Sequence, residues 1–190
     1  NDAATIRDYS GNDNDGTGSG LTLQNSARVG KEAVLSGTDS INMGNVTILN
    51  GGTSISIHIA MYIPSGGAAG TLKVLSKSGV IDVTYNTGTS AFSSTLTDNA
   101  ANTSTVTHSL ATKSYYDIQI VLSSNTQYLY VDGVQVDDNA GLASALAANA
   151  NTMYVGYDGA TNSSDFYINE LQIWGSTALS TDNTTALNAV

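Results

Sequence analysis

The stretch Ser54–Ile63 reads Ser-Ile-Ser-Ile-His-Ile-Ala-Met-Tyr-Ile, a sustained alternation of large apolar residues with smaller or polar ones. In an extended chain successive side chains point to opposite faces. Ile55, Ile57, Ile59, Met61 and Ile63 therefore share one face, and Ser54, Ser56, His58, Ala60 and Tyr62 share the other. An amphipathic helix needs apolar positions every three to four residues, so this run is a half-buried strand. Shorter runs of the same kind predict strands over 72–75, 80–85, 115–122, 128–131, 153–157 and 166–174. Turn dipeptides and tripeptides punctuate them: Asn50-Gly51-Gly52, Ser65-Gly66-Gly67, Ser78-Gly79, Asp132-Gly133 and Asp158-Gly159. Between 128–131 and 134–136, Asp132-Gly133 predicts a two-residue type I′ hairpin. With one proline and no long helical period, the class is all-β, an antiparallel two-sheet β-sandwich forming a single domain over 1–190. Three segments stand outside this pattern. Residues 1–20 read as an acidic, Gly/Asn-rich opening loop. Residues 140–150 read as an inter-strand loop with at most one helical turn. The tail 178–190 reads as a short helix over 181–189, with Ser180 or Thr181 as N-cap.

Charge excludes several partners. Six basic against sixteen acidic residues give a net charge of -10. Nucleic-acid affinity comes mainly from Lys and Arg displacing counterions, so no nucleic-acid partner is expected. No apolar run approaches the length of a membrane span, so no membrane insertion is expected. The absence of cysteine rules out disulfides, thiolate metal sites and thiol nucleophiles. The chain starts at Asn1 rather than Met, which reads as a processed or excised piece. The sequons at Asn45, Asn102, Asn162 and Asn183 match the number expected by chance from the Asn, Ser and Thr content, so they carry no signal.

Chemistry-bearing residues are few. Sandwich glycanases flank the sugar bond with two carboxylates, yet the only glutamates here, Glu32 and Glu170, are far apart in sequence. There is no E-x-D-x-E strand and no G-x-S-x-G elbow, so the chain is expected not to be an enzyme. Asp8, Asn12, Asp13, Asn14 and Asp15 gather hard oxygens in one short loop, as Ca2+ requires. The same residues serve equally well as turn residues that cap their own backbone. No glutamate follows at the twelfth position, so the loop is not an EF-hand. Leu129 and Val131 point to the core on alternation, which turns Tyr128 and Tyr130 outward together. His58 or Tyr62 would share that face. Tyrosine rings beside fixed polar groups are the general recipe for a sugar site.

Four stretches in order resemble the laminin G-like, concanavalin A-like jelly-roll family. Asp8-Tyr9-Ser10-Gly11-Asn12-Asp13-Asn14-Asp15-Gly16 is similar to its opening loop. Gly30-Lys31-Glu32-Ala33-Val34-Leu35-Ser36-Gly37, continuing to Gly44, is similar to its second motif. Tyr115-Tyr116-Asp117-Ile118 with Tyr128-Leu129-Tyr130-Val131-Asp132-Gly133 resembles its central hairpin. Met153-Tyr154-Val155-Gly156, Ile168-Asn169-Glu170-Leu171-Gln172-Ile173-Trp174 and Ala178-Leu179-Ser180 resemble its closing run. The resemblance implies a jelly roll, calcium held with help from Asn169 or Glu170, and a glycan or surface polysaccharide as partner. Two functions stay open. One is a non-catalytic carbohydrate-binding or adhesion module, secreted or on a cell surface. The other is a structural surface protein, such as a virion decoration or fibre domain, docked to the protein scaffold of a larger assembly.

Overall fold

The computed structural model describes residues 5–6, 15–26, 31–66, 69–159 and 164–175. The strands in chain order are β1 (Thr5–Ile6), β2 (Gly16–Ser19), β3 (Thr22–Asn25), β4 (Lys31–Gly37) and β5 (Ser40–Asn42). A single 3-10 turn at Thr47–Leu49 follows. Then come β6 (Ser54–Ile63), β7 (Thr71–Lys77), β8 (Ile81–Asn86), β9 (Ala91–Thr97) and β10 (Thr103–Ser109). The chain continues with β11 (Ser114–Ser123), β12 (Thr126–Val131), β13 (Val134–Asn139), β14 (Met153–Gly156) and β15 (Ser164–Gly175). They form an eight-stranded sheet in the order β1-β2-β5-β14-β7-β8-β9-β10 and a seven-stranded sheet in the order β13-β12-β11-β6-β15-β4-β3. All pairings are antiparallel. No helix among the described residues is long and apolar enough to cross a membrane.

Alternation decides the interior. The seven-stranded sheet contributes Ile55, Ile57, Ile59, Met61 and Ile63 of β6, Ile118, Ile120 and Leu122 of β11, and Phe166 and Ile168 of β15. Leu72, Val83, Tyr85, Phe92, Leu96, Met153 and Val155 meet them from the other sheet. Each such side chain contributes about 1.5–3 kcal/mol on burial. Several polar groups that enter this layer find partners. The Tyr85 hydroxyl donates to the Leu110 carbonyl at 3.0 Å. Gln127 of β12 reaches across to β9, donating to Ser94 O at 3.1 Å and Ser94 Oγ at 2.9 Å. Lys77 also points inward, donating to Asn45 Oδ1 and Asn50 Oδ1, each at 2.7 Å, and to Val46 O at 3.1 Å.

Strands also form where the sequence pattern predicted none. Residues 16–19, inside the expected opening loop, form β2. Gly16 packs so tightly on β5 that a Cβ would lie 2.6 Å from Ile41 Cγ2, so this strand is built of residues that read as loop. Strands β9 and β10 carry no strong alternation because their inward positions include Ser94 and Ser104, both buried and hydrogen-bonded. Residues 140–150 contain no helical turn; the buried Asp98 carboxylate accepts from Ala143 N and Ser144 N and pins them as a loop. The expected helix over 181–189 lies outside the described residues. At Asp132 and Gly133 both φ angles are positive, 50° and 79°, as a type I′ hairpin requires.

Candidate functional site

The outer face of the seven-stranded sheet is organised in transverse rows, because directly paired residues of antiparallel strands point the same way. One row crosses three strands as Tyr115 of β11, Tyr62 of β6 and Tyr167 of β15. The ring centroids of Tyr62 and Tyr115 are 4.8 Å apart with planes at 45°, and those of Tyr62 and Tyr167 are 5.3 Å apart at 30°. These separations are those of attractive aromatic contacts. The three rings form a tilted, half-buried platform.

Beside that platform lies Glu32 of β4, only 2% exposed. Its carboxylate accepts from Gln24 Nε2 at 2.8 Å and from the Tyr115 hydroxyl at 3.2 Å. A buried carboxylate is costly unless hydrogen-bonded, and these two donors hold both oxygens in place. Gln24, Asn25, Glu32, Tyr62, Tyr115 and Tyr167 line an open depression of about 520 Å³, with Pro64 and Ser65 at its rim. The next row is Asp117, Ala60 and Glu170, with the small Ala60 between two acids. A bulge in β15 between Ile168 and Glu170 separates Tyr167 from Glu170 along the strand. The third row is Tyr130, Gln119, His58 and Gln172. His58 is 4% exposed, and no hydrogen bond reaches either of its ring nitrogens; Asp117 Oδ1 lies 3.5 Å from Nε2.

The sugar-site residues expected from sequence are placed as follows. Tyr62, His58, Tyr128 and Tyr130 do occupy one face, but they are spread over three rows. Successive rows are about 7 Å apart. Tyr130 and His58 share a row and are both buried, at 8% and 4% exposed. Tyr128, half-buried, pairs with Val121 in the row beyond. Only Tyr62 joins the platform. Sequence reasoning missed Tyr115, Tyr167, Glu32 and Gln24 as a cluster. Each tyrosine sits at the outward parity of its strand, which was readable; the adjacency of β11, β6 and β15 was not.

Of the calcium candidates, Asp8, Asn12 and Asp13 lie outside the described residues. Asp15 is exposed at the start of β2 in the eight-stranded sheet. Glu170 is exposed on the outer face of the other sheet and accepts a hydrogen bond from Gln172 Nε2. Asp15 thus adjoins a strand of one sheet and Glu170 lies on a strand of the other. Among the described residues no group of three or more His, Asp or Glu could hold a metal ion. The outer face of the eight-stranded sheet has its own cleft of about 280 Å³, but its buried cation is already matched. Lys73 Nζ is 2.5 Å from Asp82 Oδ1 and 3.5 Å from Asp158 Oδ2.

Comparison with known proteins agrees with this architecture. No curated protein sequence matches the chain. Among solved structures, the binding domain of Paraclostridial Mosquitocidal Protein 1 superposes with a TM-score of 0.80 at 14% identity, over 96% of this chain and 48% of that one. The botulinum neurotoxin serotype D binding domain gives 0.76 at 14% identity, over 96% and 48%. The chain thus spans about half the length of these toxin domains. Domain 4 of AbnA, an extracellular arabinanase from Geobacillus stearothermophilus solved in complex with arabinotriose, gives 0.68 at 15% identity, over 90% and 82%. At these identities the likeness shows the fold. A laminin G family model, described as the concanavalin A-like lectin/glucanases superfamily, matches residues 35–183. The chain therefore belongs to the concanavalin A-like lectin/glucanases superfamily, as its four ordered motifs implied.

Proposed function

We propose that the protein is a non-catalytic glycan-binding module that acts outside the cell or on a surface. The observation that carries this reading is the tyrosine platform of Tyr115, Tyr62 and Tyr167 beside the carboxylate of Glu32. A sugar ring offers one face of C–H groups for stacking and a rim of hydroxyls for hydrogen bonds. Aromatic rings with fixed polar groups at their margin provide both. Arabinotriose on the arabinanase domain supports the reading by analogy of fold. Burial of Glu32 beneath Gln24 and Tyr115 favours a positioning role over proton transfer, because a general acid must reach the glycosidic oxygen. A screen against polysaccharides is expected to release no sugar.

The experiment is a glycan array with the intact chain, followed by titration of the best ligand into Tyr62→Ala and Tyr167→Ala. Each variant is expected to lose about tenfold or more in affinity, since stacked aromatics dominate such sites. Far-ultraviolet circular dichroism should stay unchanged, both side chains being half-buried. Full affinity in both variants would move the site elsewhere. Absence of any array binding, with docking to a protein scaffold instead, would favour the structural surface role. Calcium belongs to this proposal through the oxygen donors Asp8, Asn12, Asp13, Asp15 and Glu170. Repeating the array with a chelator tests it; unchanged binding and melting temperature would remove calcium.

A further inference from the structure

We propose that the cleft on the outer face of the eight-stranded sheet is a second binding site, one that takes a single neutral sugar residue through two adjacent hydroxyls. The site shares no residue with the tyrosine platform and stands without it. Its floor is one transverse row, Tyr154 of β14, Ser76 of β7 and Asp82 of β8, paired directly and therefore pointing the same way. Lys73 joins that row only because of a bulge. Three residues apart on a regular strand, Lys73 and Ser76 would face opposite sides; the register shift between Lys73 and Leu75 turns both outward. Lys73 is only 6% exposed in the cleft, a costly place for an ammonium. Stability alone does not call for it, since apolar side chains of like volume often replace a buried ion pair without loss.

The hydrogen-bonding capacity left over defines the ligand. An ammonium carries three N–H donors. One goes to Asp82 Oδ1 at 2.5 Å, and Asp158 Oδ2 lies 3.5 Å away. The Ser76 hydroxyl donates to the same Asp158 oxygen at 3.4 Å, which ties the loop after β14 to the cleft. The third ammonium proton remains for a guest, as does Asp82 Oδ2 on a side chain 50% exposed. A donor and an acceptor side by side match a vicinal diol. One hydroxyl gives its proton to the carboxylate, and its neighbour accepts one from the ammonium. An ionic guest fits less well, because an anion would face Asp82 and Asp158 and a cation would face Lys73. The cleft holds about 280 Å³, near the lower limit of roughly 300 Å³ for small-molecule sites, so it admits one ring rather than a chain. Tyr154 supplies aromatic surface for the C–H face of that ring.

The test is an amide chemical-shift titration of the intact, isotope-labelled chain with free glucose, galactose, mannose and arabinose. Glucosamine and glucuronic acid serve as the charged counterparts. At least one neutral sugar is expected to move the amides of Gly79, Asp82 and Tyr154 and to leave those of Tyr62 and Tyr167 in place. Asp82→Asn should weaken that sugar about tenfold and Tyr154→Phe severalfold, while Tyr62→Ala keeps full affinity. The dispersion of the same spectra reports whether each variant folds; should Asp82→Asn unfold, Tyr154→Phe decides in its place. No shift with any neutral sugar overturns the proposal. Shifts confined to the row of Tyr62 and Tyr167 overturn it too, and leave the platform reading standing. Undiminished affinity in folded Asp82→Asn, or tighter binding of either charged sugar than of every neutral one, also overturns it.

Discussion

Asp98 shows how one carboxylate can hold a loop that has no secondary structure. It is 1% exposed and accepts from the backbone N–H of Ala100, Asn102, Ala143 and Ser144 and from Asn102 Nδ2. The Asn102 side chain first, with the backbone donors behind it, holds its pKa far below the usual carboxylate range despite burial. Because the folded pKa is depressed, the stabilisation is fully present above the unfolded value near 3.8 and is lost as pH falls below it. Asp98→Asn should therefore melt several degrees lower at neutral pH and show a flatter decline under acid, read by thermal melts between pH 7 and 2. An unchanged acid limb would place the titrating group elsewhere. Lys77 does the converse with a cation. Burial lowers its pKa, and its ammonium is surrounded by three neutral oxygens of the segment 45–50. Lys77→Met removes the donors and strands those acceptors, at a cost of about 1–3 kcal/mol in chemical denaturation. A loss under half that would mean the segment rearranges to meet water.

Edges are the weak point of an open sandwich, and two of them guard each other here. Strand β10 ends the eight-stranded sheet and β13 ends the other. Asp137 of β13 accepts from Thr107 N at 2.6 Å, Asn139 Nδ2 donates to Thr105 O at 3.0 Å, and Ser104 Oγ donates to Asn139 O at 2.9 Å. Side chains of one edge thus occupy backbone groups of the other, which would otherwise template pairing with a second molecule. Asp137→Ala should leave the fold standing but raise self-association, measured by light scattering over days at high concentration. A wild-type scattering trace would show that the edge is guarded by other means. The same edges mark the limit of what sequence can reveal. Strand β6 was legible because its isoleucines alternate on one side. Strands β9 and β10 were not, because Ser94 and Ser104 face inward to serve Gln127 and Asn139. The site divides along the same line. Outward parity of Tyr62, Tyr115 and Tyr167 is a local property of each strand. Their contact depends on β11 and β15 flanking β6, a matter of topology that no local pattern encodes. Glu32 and Glu170 make the point again: remote in the chain, they stand on one face of adjacent strands.

At the scale of the whole molecule the net charge of -10 outweighs any one ion pair. Like charges on a compact body repel, and that repulsion acts against the folded state. Screening decides how far it reaches: the Debye length is about 30 Å at 0.01 M salt and about 8 Å at 0.15 M. At the lower concentration carboxylates on both sheets feel one another, and at the higher one only near neighbours do. Sodium chloride raised across that range should therefore increase the melting temperature by several degrees. The ion pairs of Lys73 with Asp82 and Asp158 oppose the trend, but they are too few to reverse it. If the melting temperature fell with salt, local ion pairs rather than global repulsion would govern stability.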